Sequence, residues 1–216
     1  MEPDYEAMAR QLAKPEGEDG IRTGHIMQEG NAGICRKAMD SLALHHGDHI
    51  LEIGPGNGTH ISHLFNRADI VYRGLDISET MVAQARELNA AHTADKRAQF
   101  TLGDGTVLPY PDAVFDHVFT VNTLYFWENP DAQLSEIYRV LKPGGTFCLA
   151  FRSRAFMQDL PFTSYGFRLY DKETALSLLV RANFVIKNAV EEDEAESTSI
   201  TGAVLRKDRI IITGSR

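Results

Sequence analysis

Residues 49–58 constrain the fold more than any other stretch and read H-I-L-E-I-G-P-G-N-G. A short apolar run, interrupted by the carboxylate of Glu52, breaks into glycines at every second position, Gly54, Gly56 and Gly58. The pattern predicts a buried parallel strand that enters a tight turn, with a helix after it. Because glycine accepts positive φ and has no Cβ, this turn can lie against a ligand, toward which the helix N–H groups point. We therefore expect a small-molecule site at the carboxyl end of a central strand of an open α/β sheet.

The glycine turn departs from the dinucleotide fingerprint G-x-G-x-x-G/A in two ways. Thr59 stands where the fingerprint requires a third small residue, and the strand carries Glu52, which a dinucleotide site does not need. The combined pattern E-x-G-x-G-x-G resembles motif I of the class I S-adenosylmethionine-dependent methyltransferases. The resemblance implies that Glu52 and the glycines Gly54, Gly56 and Gly58 bind S-adenosylmethionine, whose product is S-adenosylhomocysteine. A nicotinamide or flavin site and a structural turn without a ligand are the alternatives.

Two acidic residues end the next two predicted strands. Residues 69–77 predict the second strand, and its Asp76 lies roughly 20 residues after Gly54, the spacing at which an acid meets a ribose hydroxyl in βαβ nucleotide sites. A carboxylate accepts both hydrogen bonds of a 2′,3′-diol. The alternative is a helix cap, for which Ser78 is the better candidate. Residues 98–103 predict the third strand, after which the resemblance implies that Asp104 binds the adenine amino group. A turn-organising role for Asp104 is the alternative.

Further residues complete the expected cofactor site. Met81, on the helix predicted for residues 78–88, is placed near the adenine, and Asn122 ends the fourth strand, predicted for residues 115–121. The expected cofactor-binding residues are Glu52, Gly54, Gly56, Gly58, Asp76, Ile77, Met81, Gly103, Asp104, Gly105 and Asn122. We expect no metal, because the sequence has no His/Cys cluster with the spacing of metal ligands.

Two longer segments extend the resemblance. The sequences L-P-Y-P-D-A-V-F-D-H-V-F and L-S-E-I-Y-R-V-L-K-P-G-G-T-F resemble the ubiquinone/menaquinone-biosynthesis-like (type 11) methyltransferases. This resemblance covers residues 48–152 and implies a doubly wound, Rossmann-like α/β fold with a seven-stranded mixed sheet. In the second segment a helix is predicted to end at the Pro-Gly pair 143–144, before a buried strand. Its inner face is marked by Leu134, Ile137, Tyr138 and Leu141.

Residues 1–46 are expected to form an N-terminal helical cap, and residues 47–216 the S-adenosylmethionine-binding domain. A short helix is predicted for residues 5–12 and a longer one for residues 26–44, separated by a glycine-studded segment. The resemblance implies that this cap folds over cofactor and acceptor. Flexibility around Gly17, Gly20 and Gly24 would let it open and close. A plain structural helix at the sheet edge is the alternative.

Beyond residue 151 the resemblance fades. We interpret the aromatic-rich residues 152–170 as an insertion that lines the acceptor pocket. A helix over residues 171–182 is predicted to turn Ala175, Leu178 and Leu179 inward. Residues 184–190 and 208–213 are predicted to close the sheet as a strand pair, and the acidic run 191–196 between them to be a solvated loop.

Composition argues against several classes of function. The formal net charge of −8 disfavours a nucleic-acid partner, which normally binds a basic face. No apolar stretch is long enough to cross a bilayer, and the start M-E-P-D-Y lacks a signal-peptide pattern. Cys35 and Cys148 suit a reducing compartment as buried small hydrophobes. We therefore expect a cytoplasmic protein that acts on a small molecule without stable membrane insertion, and a homodimer is left open.

Methyl transfer from a sulfonium is expected to proceed by in-line displacement. The enzyme must align the acceptor, exclude water and remove any acceptor proton, tasks that leave few marks in a sequence. The candidate catalytic residues are Tyr125, just past the fourth strand, and His25, in the cap. His60, His63 and His117 are expected to be structural or surface residues.

The acceptor is expected to be small and partly apolar. Five aromatic side chains suggest this, with a core position as the alternative for each of them: Phe126, Trp127, Phe162, Tyr165 and Phe167. The N/D-P-P-Y/F signature of amino-methylating enzymes is absent, since Asn122 is followed by T-L-Y. Aminopropyl transfer would need an acidic pocket after the fourth strand, where the sequence offers only Glu128. A non-catalytic, S-adenosylmethionine-binding regulatory domain is the remaining alternative.

Overall fold

The computed structural model describes residues 3–194, 197–198, 204–205 and 207–216. Its helices are α1 (Tyr5–Ala13), α2 (Gly17–Asp40), α3 (Ser62–Phe65), α4 (Glu79–Leu88), α5 (Ala90–Ala94), α6 (Pro130–Val140), α7 (Arg154–Met157) and α8 (Lys172–Arg181). Its strands are β1 (His49–Ile53), β2 (Val71–Asp76), β3 (Ala98–Leu102), β4 (Phe115–Val121), β5 (Leu141–Phe151), β6 (Val185–Asp193), β7 (Ser197–Thr198), β8 (Val204–Leu205) and β9 (Asp208–Ser215). Short 3₁₀ helices occupy Thr59–Ile61, Leu124–Phe126 and Pro161–Ser164.

Seven strands form one mixed sheet in the order β3-β2-β1-β4-β5-β9-β6. The five strands from β3 to β5 run parallel, whereas β9 is antiparallel to both β5 and β6. The direction of chain progression reverses between β1 and β4, and open α/β sheets bind ligands beside such a reversal, outside the carboxyl ends of the strands. The predicted doubly wound, seven-stranded mixed sheet is confirmed.

Each face of the sheet carries its own apolar core. Leu51, Val118 and Phe147 pack on the side of α6 and α8, whereas Ile50 and Phe119 pack on the side of α2, α3 and α4. Successive side chains of a strand point to opposite faces. Alternation in β1 therefore directs Glu52 into the same layer as Ile50, where its side chain is 1% exposed. The fold therefore buries this carboxylate in the protein interior.

The glycines of the N-terminal segment serve close packing. Helix α2 begins at Gly17, so the prediction of a flexible connection and a helix starting at residue 26 is wrong. Gly20 and Gly24 are buried inside this helix. A Cβ on Gly20 would lie 2.6 Å from the carbonyl carbon of Pro15, and one on Gly24 would lie 2.9 Å from Sδ of Met81. A larger residue at position 20 would push α2 away from the backbone of Pro15, whereas one at position 24 would displace the end of the Met81 side chain.

A pair of alanine substitutions in α2 distinguishes packing from flexibility. We expect Gly30→Ala to raise the free energy of unfolding by about 0.5–1 kcal/mol, because alanine favours the helix and its Cβ would meet only Nζ of Lys207, at 3.8 Å. Gly20→Ala is expected to lower it by about 1–3 kcal/mol through the clash with Pro15. Urea unfolding of both variants measures the two changes. If Gly20→Ala stabilises the protein as Gly30→Ala does, the packing interpretation is wrong.

Two predicted boundaries in the C-terminal half of the chain are corrected. Helix α6 ends at Val140, because Leu141 is extended and already pairs with Phe115 of β4. The Pro-Gly-Gly stretch then forms an irregularity within β5, where the β4–β5 register shifts. The acidic run is not a loop over residues 191–193, which extend β6 and pair with β9. Arg209 and Lys37 neutralise Glu192, which makes an acidic strand tolerable. Residues 195–196 of that run lie outside the described residues.

Most other predicted elements are confirmed. Helix α1, the strand β4 with its predicted bounds, the helix α8 with buried Ala175 and Leu179, and the closing pair β6–β9 all form. Ser78 is the cap of α4, since its Oγ accepts a hydrogen bond from the Met81 N–H at 3.1 Å. Among the described residues, no helix combines the length and apolar content needed to span a bilayer.

Candidate active site

The carboxyl ends of β1, β2, β3 and β4 open into one cavity that α1 and α2 cover. The cap contributes the lining residues Leu12, Ala13, Pro15, Gly24, Met27, Gln28, Asn31 and Cys35. Nine of the eleven residues expected to bind the cofactor also line this cavity, namely Glu52, Gly54, Gly56, Asp76, Ile77, Met81, Gly103, Asp104 and Asn122. Gly58 and Gly105 do not line it, and neither do Tyr125 and His25.

The three glycines of the turn after β1 have different environments. All three have φ between +56° and +74°, the left-handed region that favours glycine. A Cβ on Gly54 would collide with Cγ2 of Thr123, and one on Gly58 would lie 3.1 Å from the Phe100 ring. A Cβ on Gly56 would meet nothing within 4 Å. Gly56 therefore faces open space in the cavity, whereas Gly58 serves packing against the body of the protein.

Asp76 ties the end of β2 to this turn. Its carboxylate accepts hydrogen bonds from the N–H groups of Gly56 at 2.8 Å and of Ser78 at 2.9 Å. Burial raises the pKa of the Asp76 carboxyl to about 6, and the two N–H donors offset part of that rise. The side chain is 6% exposed and lines the cavity. It is placed to accept the hydrogen bonds of a sugar diol.

Glu52, in the cavity wall, has two side-chain partners, Tyr72 and His60. Its oxygens accept a hydrogen bond from the Tyr72 hydroxyl at 2.5 Å and lie 2.8 and 3.0 Å from Nε2 of His60. Burial lowers the pKa of His60, but the charge and hydrogen bond of Glu52 outweigh it, and the pKa lies above the ordinary value. His60 lines the cavity and was expected to be structural. His60 reaches Glu52 because the glycine turn places the 3₁₀ helix Thr59–Ile61 over β1.

The turn after β3 differs from the prediction in two ways, since Gly105 does not line the cavity and an unpredicted residue, Gln133, does. Gly105 is buried with φ +76°, and a Cβ there would lie 3.5 Å from Nε2 of Gln133. Gln133 lines the cavity, is 7% exposed and was not predicted from the sequence. A signal existed, since Gln133 is a polar residue four positions before Ile137 on the buried face of α6. Asp104 lies at the exposed rim and accepts the Thr106 N–H at 2.9 Å, so its adenine contact stays a prediction.

Neither predicted catalytic residue reaches the cavity. Tyr125 is buried, and its hydroxyl accepts the Arg152 N–H at 2.6 Å and lies 3.3 Å from Oδ1 of Asn122. Burial raises the pKa of Tyr125 well above its ordinary value, which does not suit a base. Tyr125 instead supports Asn122, which ends β4 with φ +57°, a conformation that asparagine tolerates. His25 lies on the exposed side of α2.

The aromatic residues separate into two groups. Phe126 and Trp127 line the cavity. Phe167 packs behind Phe126 with a centroid distance of 4.7 Å, Phe162 packs on Phe167 at 5.7 Å, and Tyr165 is exposed. No residue of 152–170 lines this cavity, and the interpretation of the segment as an acceptor-pocket insertion stays a prediction. Its Phe162 and Phe167 pack behind Phe126, which follows β4.

The lining suits S-adenosylmethionine. Gly56 lets a ligand approach the backbone, and the buried carboxylate of Asp76 accepts from a ribose diol. Further polar side chains line the same cavity, namely Gln28 and Asn31 from α2 and the Glu52–His60 pair. Polar groups of this kind suit the charged amino-acid part of the cofactor, so the chemistry of the lining fits the molecule.

Comparisons with known proteins agree with this geometry. Residues 51–149 match the family model of the methyltransferase domain, Methyltransf_11. The uncharacterized methyltransferase YdaC of Bacillus subtilis is 30% identical over 132 residues, which cover 61% of this chain and 71% of that protein. Demethylmenaquinone methyltransferase of Symbiobacterium thermophilum is 37% identical over 128 residues, 58% of this chain and 50% of that enzyme. The 27-O-demethylrifamycin SV methyltransferase of Amycolatopsis mediterranei is 32% identical over 123 residues, 57% of this chain and 45% of that enzyme. This chain thus spans about half the length of the latter two.

Solved structures share the fold along the chain. A methyltransferase of Haloferax volcanii, solved with the Trm112 methyltransferase activator, superposes with a TM-score of 0.75 at 21% identity and covers 100% of this chain and 98% of its own. Phosphoethanolamine N-methyltransferase 2 of Haemonchus contortus, solved with S-adenosylhomocysteine, gives 0.69 at 16% identity, covering 100% of this chain and 61% of its own. With the E-x-G-x-G-x-G turn at the switch point of a seven-stranded sheet, this chain belongs to the class I S-adenosylmethionine-dependent methyltransferases.

Proposed function

We propose that this chain transfers the methyl group of S-adenosylmethionine to a small-molecule acceptor. The observation that carries the proposal is the cavity at the strand ends, which α1 and α2 cover. Three carboxylates line it, those of Glu52, Asp76 and Asp104, and within the described residues no lysine or arginine does. A phosphate backbone would find no cation there to replace its counterions. A small, uncharged or cationic acceptor suits this lining.

The proposed transfer is an in-line displacement that the chain promotes by alignment. When bound, S-adenosylmethionine supplies a methyl group carried on a positively charged sulfur. Asp76 and the glycine turn hold the ligand, while Phe126 and Trp127 offer an apolar wall beside Asn122 at the end of β4. Holding two reactants in one orientation can remove about 7–11 kcal/mol of the barrier to such a reaction. The proposed mechanism needs no covalent intermediate.

His60 is the group we propose to hold a proton that the acceptor releases. It lines the cavity, and Glu52 orients its imidazole through Nε2. Histidine exchanges protons near neutral pH. Cys35 also lines the cavity, but burial raises the pKa of its thiol to about 12, so it stays protonated. His60 replaces Tyr125 and His25 in this role.

We further propose that α1 and the first turns of α2 act as a lid, since Ile34, Ala38 and Met39 hold the rest of α2 in the core. Hydrogen bonds tie the lid to the body beside the cavity: the Ser78 hydroxyl donates to the Pro15 carbonyl, the Gly17 N–H to Oγ1 of Thr80 at 3.1 Å, and the Asn57 amide to Oε1 of Gln28 at 2.9 Å. Few such bonds must break for ligand entry. A closed lid excludes water from the reaction.

Cofactor affinity is expected to fall in acid because of Asp76. Its pKa of about 6 in the ligand-free protein means that the ionised form, which accepts both diol hydrogen bonds, is lost as the pH drops through that value. We expect the Kd of S-adenosylhomocysteine to rise roughly tenfold from pH 7 to pH 5, measured by calorimetry. In Asp76→Asn the remaining weak binding should vary little with pH. A wild-type affinity that is flat over this range would contradict the prediction.

Radiolabelled S-adenosylmethionine tests the proposed function. The protein is incubated with pools of phenols, amines and thiols and, separately, with tRNA, DNA and protein extracts. We expect label in the small-molecule pools and inhibition by S-adenosylhomocysteine. Label confined to nucleic acid or protein would overturn the small-molecule acceptor. Cofactor binding without transfer to any pool would favour a regulatory domain, and binding of NAD alone would favour an oxidoreductase.

A further inference from the structure

The side chain of Gln133 is the unexplained polar group in the cavity wall. It is 7% exposed, and its Oε1 is buried without a hydrogen-bond partner among the described residues. It projects from α6, whose neighbouring buried residues Leu134, Ile137 and Val140 are apolar. A buried amide without a partner costs free energy that a methionine or leucine of similar size would not. A ligand that donates a hydrogen bond to Oε1 would explain its presence.

The position of Gln133 identifies the part of the ligand that it meets. A Cβ on Gly105 would lie 3.5 Å from Nε2 of Gln133 and 3.5 Å from Cγ2 of Ile53. The amide therefore lies against the turn after β3, beside the segment that carries Asp104. Asp76, which suits the ribose, ends the adjacent strand β2. The base attached to that ribose lies within reach of this turn.

The chemistry of a primary amide matches one edge of adenine. Its oxygen accepts a hydrogen bond and its nitrogen donates one, in a fixed plane. Adenine presents a 6-amino donor next to a ring-nitrogen acceptor, the pattern that glutamine and asparagine bind in bidentate fashion in nucleic acids. A 6-oxo purine has an acceptor where adenine has this donor. One buried amide can therefore both hold the base and distinguish it.

We propose that the Gln133 side chain recognises the adenine of the cofactor and selects a 6-amino over a 6-oxo purine. Oε1 accepts from the 6-amino group, and Nε2 donates to a neighbouring ring nitrogen. The proposal rests on S-adenosylmethionine as the cofactor and is independent of the acceptor. A protein that shows this purine preference but methylates no small molecule would lose the proposed acceptor class and keep the assignment of Gln133.

Two ligands and one isosteric substitution test the assignment. The ligands are S-adenosylhomocysteine and S-inosylhomocysteine, which differ at position 6 of the purine, and the variant is Gln133→Met. We expect the wild type to prefer the adenine ligand and Gln133→Met to bind it roughly tenfold more weakly, with a correspondingly smaller preference over the inosine ligand. Calorimetry measures all four affinities. Gln99→Met, on the exposed side of β3, is the control and should match the wild type.

Thermal unfolding without ligand provides a second readout. We expect Gln133→Met to unfold at a higher temperature than the wild type, because it removes an unpartnered buried amide. A purely structural role for the amide would lower this temperature instead, and that result would overturn the proposal. An unchanged preference between the two ligands, or an equal loss of affinity for both, would also overturn it.

Discussion

Gly56→Val is expected to abolish S-adenosylmethionine binding while the protein remains folded. Gly56 has φ +56°, and a Cβ on it would meet no atom within 4 Å, so a valine side chain would project into the cavity. Left-handed backbone costs a non-glycine residue about 1–2 kcal/mol, and a β-branched one most. The Gly56 N–H also donates to Asp76, so a shift of the turn would move the carboxylate as well. Calorimetry with S-adenosylmethionine and far-UV circular dichroism check both parts.

Gly47→Val is the matched control for this substitution. Gly47 also has positive φ, +89°, and open space around its Cβ position, but it is exposed and does not line the cavity. The Gly47→Val variant therefore imposes similar backbone strain without placing a side chain in the cavity. We expect near-normal binding after a modest loss of stability. If Gly56→Val binds as Gly47→Val does, the placement of the ligand against the turn is wrong.

Asp76→Ala is expected to weaken cofactor binding by about 1–3 kcal/mol, or about 5- to 150-fold in Kd. The alanine leaves the ribose without its acceptor and frees the N–H groups of Gly56 and Ser78 that the carboxylate now holds. Asp76→Asn retains one acceptor oxygen, so its affinity should lie between those of the wild type and the alanine variant. Calorimetry with S-adenosylhomocysteine at about pH 7.5, above the pKa of Asp76, gives the order.

Asp69→Ala provides the comparison just before the amino end of the same strand. Asp69 is exposed and pairs with Arg97, away from the cavity. We expect its Kd to equal that of the wild type. Equal affinities for Asp76→Ala and Asp69→Ala would remove Asp76 from the site.

The cofactor half of the site was predictable because its signals are local. The turn with Gly54 and Gly56, and the acid at the end of β2, are set by backbone demands that act within a few residues. Parallel strands bring their carboxyl ends to one edge, so the strand order is enough to assemble Gly54, Asp76 and Asn122. The family resemblance added roles to these positions. It could not show that Gly58 serves packing and that Gly105 serves a left-handed turn outside the cavity lining, since a glycine looks the same in either role.

The sequence by itself determined the fold class, the sheet, and the strand-end residues of the cavity. Tertiary structure alone decided the partners of each side chain: His60 with Glu52, Gln133 without a partner among the described residues, and Tyr125 turned toward Arg152. It also decided that Gly20 and Gly24 pack α2 closely and that residues 152–170 support Phe126 from behind. The physical reason is the separation along the chain of the residues that interact. Turn and strand preferences act between near neighbours in the chain, whereas burial and hydrogen bonding depend on contacts that form only when distant segments pack together.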